Sequence, residues 1–211
     1  GPMKNLANTH IVHHAGRYLA LWEAGPPTEV TADLVTVGIH DFDGRLDGGF
    51  TAHTKIDPRT GEMLAFAYLP FAPFLRYHQI DADGMLTRSV DIELPEAVVM
   101  HDFAITEHHV VFMDSPMVLD VMAALNGDPM FRWDPDHQTR VGVMRRDGQE
   151  VTWHETEAAY VNHFWNAWED DGVITFAGSR LEGVAYTAGK DGAMDREGAD
   201  AEAGLPTRYK V

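Results

Sequence analysis

The sequence contains no cysteine, which removes disulfides, thiolate metal ligands and cysteine nucleophiles together and suits a reducing compartment. Cations are scarce: 16 Lys+Arg stand against 33 Asp+Glu, a formal charge of −17. A chain this acidic lacks the electrostatic footprint of a nucleic-acid binder and has no preference for anionic membranes. No window reaches the ~18 uncharged apolar residues of a membrane span, and no charged-then-apolar leader precedes a small-residue cleavage site. A soluble, cytoplasmic protein is the expectation. Sequence motifs are few as well: there is no GxSxG elbow, no glycine-rich phosphate loop and no HExxH, and Asp41-Phe42-Asp43-Gly44 lacks the rest of an EF-hand loop. Helical signal is confined to residues 116–125, which open on proline, are rich in helix formers and stop at Asn126-Gly127.

What is present is core-forming material and turn chemistry. A hydrophobic share of 45% over 211 residues supports one domain or a piece of a larger one. The start, Gly1-Pro2-Met3, reads as a tag scar before an initiator methionine, and residues 1–3 stay out of fold reasoning. Residues 9–14 and 18–22 flank Ala15-Gly16-Arg17, a hairpin signal. The grammar recurs: a turn at 57–62 precedes an apolar run at 63–68, and a turn at 81–84 precedes another at 85–92. Residues 110–113, 139–145, 151–155 and 173–176 continue it. Turns every 10–20 residues or so predict an all-β fold: sandwich, barrel or propeller. A loose repeat of strand, Asp-x-x-x-Gly turn and strand favours a propeller. At ~40–50 residues per four-stranded blade the chain supplies about four to five blades. Residues 187–204 are small and charged and read as a mobile acidic loop. Residues 205–211 read as the start of an unfinished strand, and residues 4–186 are expected to form a partial propeller.

Histidine is abundant, with 12 copies. His53, His101 and His163 each sit in apolar or aromatic surroundings at an expected strand end, separated by 48 and 62 residues. Gaps of about one blade allow three rings to converge on a common axis, where neutral imidazoles bind Fe, Zn or Cu. Three unrelated core or surface histidines give the same spacing, and both readings stand at this level. His13-His14, His108-His109, His78, His137 and His154 lie in polar stretches or adjacent pairs and are expected to be solvated. Glu23 ends an apolar run; it is either an acceptor for a ligand's second ring nitrogen or the first exposed residue of a turn. Glu169 belongs to an acidic turn, and Asp102 points away from its neighbour His101 on strand alternation.

Four strings go beyond pattern. They are Ala7-Asn8-Thr9 through Leu19-Ala20-Leu21-Trp22-Glu23, Phe50-Thr51-Ala52-His53-Thr54-Lys55-Ile56-Asp57-Pro58 with Thr60-Gly61-Glu62, Met100-His101-Asp102-Phe103-Ala104-Ile105-Thr106-Glu107, and His163-Phe164-Trp165-Asn166-Ala167-Trp168-Glu169. In this order and spacing they resemble the carotenoid cleavage oxygenase family, which includes apocarotenoid and lignostilbene oxygenases. The resemblance runs from about residue 5 to about residue 186.

The resemblance implies a seven-bladed β-propeller, of which this chain supplies roughly half to two thirds. It implies an axial non-haem Fe(II) held by four histidines, with His53, His101 and His163 matching the first three and Glu23 matching a glutamate that orients His101. The fourth histidine and two further glutamates lie beyond the third ligand in the family and have no counterpart here. The implied reaction cleaves a C=C bond of a carotenoid, apocarotenoid or stilbene-like polyene with O2, giving two carbonyl products, in an apolar site lined by Trp22, Phe103, Phe164 and Trp165. Stilbene-cleaving members usually carry a lysine where Trp22 stands, which tilts the expected substrate toward an apocarotenoid. Transient membrane contact and association through open propeller edges are further expectations. The alternative is a catalytically silent propeller fragment that acts through assembly; a hydrolase using three-histidine zinc is weaker, because no general base accompanies the histidines.

Overall fold

A computed structural model describes residues 4–181 and 205–211. The segments expected as a tag scar (1–3) and a mobile loop (187–204) lie outside the described residues. Seventeen strands and one five-residue helix make the described fold all-β, as the spacing of turns predicts. The chain divides into two compact units, one of residues 1–69 and 73–93, the other of residues 70–72 and 94–211.

The first unit holds two up-and-down sheets. Strands β1 (His10–His14), β2 (Arg17–Leu21), β3 (Thr28–Val30) and β4 (Thr36–Ile39) pair antiparallel in sequence order. The β1–β2 turn places Ala15 and Gly16 at φ 48° and 76°, the left-handed pair whose twist matches a hairpin and which glycine adopts without strain. Strand alternation then sorts the sheet: Val12 and Leu19 oppose each other and are buried, while Ile11 and Tyr18 remain exposed. The second sheet is β5 (Lys55–Ile56), β6 (Met63–Tyr68), β7 (Phe74–Ile80) and β8 (Leu86–Glu93). Its turns are closed by aspartates. Asp57 accepts the Arg59 N–H at 2.8 Å, and Asp81 accepts those of Asp83 and Met85 at 3.1 and 2.8 Å, which is why an aspartate opens each of these glycine-containing turns. Val12, Leu19, Leu21, Phe50, Met63 and Ile80 belong to the core of this unit.

Two histidines expected to be solvated are instead part of that unit's interior. His78 is fully buried on β7, because both faces of this strand are covered; its ring stacks on Phe50 with Nδ1 2.9 Å from Ser89 Oγ. Burial pushes its pKa down to about 4, so it is neutral at ordinary pH. His14 is buried as well, with Nε2 2.9 Å from the Gly61 carbonyl. The polar sequence around each hid an inward-facing position.

In the second unit, β9 (Ala104–Ile105), β10 (His109–Asp114), β11 (Met117–Leu119), α1 (Val121–Leu125), β12 (Phe131–Trp133), β13 (Arg140–Arg145) and β14 (Val151–Glu155) follow in order. The sheet order is β14-β13-β10-β9, and the β11–α1–β12 segment is an excursion between two of its strands. The helix expected over 116–125 is confined to its second half. Met117 and Val118 are buried in a hairpin with β12, and Asp120 caps the helix by accepting the Ala123 N–H at 2.8 Å. β15 (Tyr160–Asp170), β16 (Val173–Leu181) and β17 (Leu205–Lys210) form a third sheet, with Val161, Phe164, Ile174 and Phe176 in the unit's core.

His137 also departs from expectation. Its side chain is 4% exposed, with Nε2 2.7 Å from Asp114 Oδ1 and Nδ1 2.9 Å from Glu96 Oε1. Arg140 Nε donates to the other Asp114 oxygen at 3.0 Å. The hydrogen bond that His137 donates to Asp114, reinforced by the one to Glu96, outweighs burial and holds the imidazole pKa above its ordinary value.

Candidate metal centre

His101 lies in the irregular stretch before β9, and its buried neighbours Val98, Met100, Asp102 and Phe103 anchor that backbone. His163 is not at a strand end. It sits inside β15, where the register against β16 shifts between Val161 and Phe164 and again between Phe164 and Asn166. A bulge re-aims a side chain that regular alternation would fix, and Gly178 on β16 makes room for it: a Cβ there would stand 2.6 Å from Val161 Cγ1 and 2.7 Å from the His163 carbonyl oxygen. The His163 N–H donates to Ser179 Oγ at 3.2 Å.

These elements bring two ring nitrogens together. His101 Nε2 lies 3.2 Å from His163 Nε2, with the rings edge-on at an interplanar angle of 76°. Two imidazoles bound to one metal at ~2.1 Å with an angle near 100° place their donor atoms about 3.2 Å apart. Neutral imidazole nitrogens with no thiolate or carboxylate in the pair suit Fe(II), Zn(II), Co(II) or Cu(II). The pair therefore fits a metal.

In the first unit, His53 is partly buried and precedes β5. Its N–H donates to the buried Thr51 Oγ1 at 2.9 Å, and His10 Nδ1 stands 3.0 Å from the Ala52 carbonyl, so the preceding backbone is clipped on both sides. His53, like His101 and His163, offers one ring nitrogen that could serve as a metal ligand. Glu23 is also partly buried and accepts a hydrogen bond from Tyr68 OH at 2.8 Å. The Trp22 ring packs on Gly25, and its Nε1 is buried with no hydrogen-bond partner among the described residues. Of the other aromatic side chains expected to line an apolar site, Phe103 is fully buried and stacked on Phe112, Phe164 is a core residue against Phe176, and Trp165 is 55% exposed.

Two acids matter more than their sequence context suggests. Glu169, read as part of an acidic turn, accepts from His109 Nδ1 at 2.6 Å and from the His108 N–H at 2.7 Å. Burial pushes its pKa up, but these hydrogen bonds together hold it below the ordinary value. Asp102 is 2% exposed and accepts the N–H groups of Phe103 and Phe164 at 2.8 and 2.9 Å. Its side chain reaches the backbone of β15 from an irregular stretch in which strand alternation does not apply, and the available signal was a carboxylate embedded between Met100 and Phe103.

The family model described as retinal pigment epithelial membrane protein matches residues 1–210. The chain belongs to this family, the carotenoid cleavage oxygenases. It is 40% identical over 184 residues to carotenoid 9,10(9',10')-cleavage dioxygenase 1 of Arabidopsis thaliana, covering 83% of this chain and 34% of that one. To the carotenoid cleavage oxygenase of Mycobacterium tuberculosis it is 37% identical over 207 residues, covering 77% and 41%. Among solved structures, the lignostilbene dioxygenase of Pseudomonas brassicacearum superposes with a TM-score of 0.86 at 33% identity, covering 98% of this chain and 45% of that one. Cobalt-substituted Synechocystis apocarotenoid oxygenase gives 0.84 at 27%, covering 100% and 47%. The chain thus spans between a third and a half of the length of these relatives.

Proposed function

We propose that this carotenoid cleavage oxygenase chain carries the iron-binding portion of a non-haem Fe(II) dioxygenase that splits a C=C bond of an apocarotenoid-like polyene into two carbonyl products. The observation that carries this reading is the His101–His163 nitrogen pair at ligand spacing, on a chain of this family. In it, His53 joins the pair as a third ligand, and Glu23, held by Tyr68 OH, accepts the second ring N–H of His101 and so presents its other nitrogen as a lone pair. When bound, the iron supplies the centre at which O2 is activated beside the double bond. Trp22 and Trp165 give an apolar wall against which a polyene packs, with Phe103 and Phe164 stiffening it from the core. Exclusion of water by such walls protects an oxidative site from side reactions.

On this reading each four-stranded sheet is a blade of a β-propeller, of which the chain supplies part. Open sheet edges then favour association. The exposed Met122 and Leu125 of α1 provide an apolar contact for transient approach to the membrane from which an apolar substrate is drawn; the protein itself works in the cytoplasm. Among the described residues, no helix is long and apolar enough to cross a membrane.

The test is product analysis. The chain, loaded anaerobically with Fe(II), is mixed with an apocarotenal under 18O2, and the expected result is two carbonyl products carrying label. Iron bound without turnover would favour the silent, assembling fragment instead. No bound iron would overturn the metal reading altogether.

A further inference from the structure

We infer that Asp102 is the positioning residue that sets the separation of His101 and His163. This rests on the reading of that pair as metal ligands. One buried carboxylate spends both oxygens on backbone: Oδ1 accepts the Phe103 N–H at 2.8 Å and Oδ2 accepts the Phe164 N–H at 2.9 Å. Phe103 is two residues from one histidine and Phe164 is adjacent to the other.

The need for such a group follows from the bulge. Where β15 shifts register around Phe164, its N–H leaves the β16 ladder, and a buried backbone donor without an acceptor is strongly disfavoured. A carboxylate arriving from the stretch before β9 supplies that acceptor and, by doing so, fixes where this stretch lies against β15. A charged acceptor gives shorter and stronger bonds than an amide or hydroxyl, which suits a clamp between two segments 62 residues apart in sequence. Gly178 and Ser179 hold the other side of the bulge, and the Phe164 N–H ties the two histidine-bearing segments together through Asp102. Asp102 meets Phe103 and Phe164 through their backbone N–H groups. It acts through the backbone.

The experiment uses Asp102→Ala and the milder Asp102→Asn, with Asp114→Asn as a buried-carboxylate control in the same unit. Amide hydrogen exchange is read residue by residue without metal, and Co(II) binding is measured by equilibrium dialysis with its visible d–d spectrum. The inference expects Phe103 and Phe164 amides to lose protection by at least about tenfold in Asp102→Ala, while Ile174 and Phe176 keep theirs. Co(II) affinity falls by about 10–100-fold, in the range seen when a group supporting a ligand is removed, and the spectrum shifts. Asp102→Asn, which keeps one acceptor oxygen, falls between and serves if the alanine variant does not fold. Asp114→Asn lowers thermal stability without moving the spectrum. Unchanged exchange at Phe103 and Phe164, or Co(II) affinity within twofold of the parent with an identical spectrum, would overturn the inference. A parent chain that binds no Co(II) while the exchange pattern responds as expected rejects the metal reading and leaves the clamp standing.

Discussion

An imidazole ligates a divalent cation through a lone pair, so the contribution of each histidine is separable by single substitution. His101→Ala and His163→Ala are each expected to abolish Fe(II) binding, and His53→Ala to weaken it by at least about tenfold, as measured by anaerobic dialysis. His154, exposed on β14, is the proper control, and loss of iron in His154→Ala equal to that in His101→Ala would sink the assignment. His137 is unsuitable as a control because it is structural. Its folded pKa lies above the ordinary 6.5, so its contribution to stability is complete below pH 6.5 and is lost as pH rises through the folded value. His137→Ala is therefore expected to cost about 1.5–3 kcal/mol at pH 6 and less at pH 9, read from urea midpoints at the two pH values; Glu96, Asp114 and Arg140 are the charges that face it. An equal cost at both pH values would contradict the charged pairing.

At the scale of elements, β15 carries the most consequence. Gly178→Ala forces a methyl group to within 2.7 Å of the His163 carbonyl oxygen and 2.6 Å of Val161. The strand must shift, at a cost of about 1–3 kcal/mol, and iron affinity is expected to fall with thermal stability. Gly172→Ala, where a Cβ meets nothing within 4 Å but φ is +77°, costs stability alone. Iron affinity unaltered by Gly178→Ala would show that the bulge does not aim His163. The elements themselves were largely legible: hairpins announced by Ala15-Gly16, by the 57–62 turn and by Asp81-Ala82-Asp83-Gly84 appear where turn chemistry placed them. The half-helix at 116–125 was not, because apolar Met117 and Val118 serve a strand or a helix equally until a partner strand exists. The buried positions of His14, His78 and His137 were hidden for a related reason. Their neighbours in sequence do not mark a core face, and only packing against segments distant in the chain, as with Phe50 over His78, shows which way each ring points. For the candidate site, family motifs singled out the three histidines, whereas the role inferred for Asp102 rests on a bulge in another strand that no local pattern records.

For the whole molecule, a formal charge of −17 implies self-repulsion that salt relieves. Raising NaCl from about 20 to about 500 mM is expected to lift the thermal midpoint by about 2–5 °C; a fall on adding salt would show that ion pairs such as Arg140–Asp114 outweigh the repulsion. The chain spans 34% of its Arabidopsis relative and 47% of the Synechocystis structure, so metal binding is a question distinct from turnover. Metal binding needs only ligand nitrogens held together, as those of His101 and His163 are, whereas turnover needs the substrate enclosed as well. The most direct measurement of the central claim is anaerobic equilibrium dialysis of the chain against Fe(II), beside the His101→Ala/His163→Ala double variant. Close to one iron per chain is expected, lost in the double variant. Iron in the parent no higher than in the variant would contradict it.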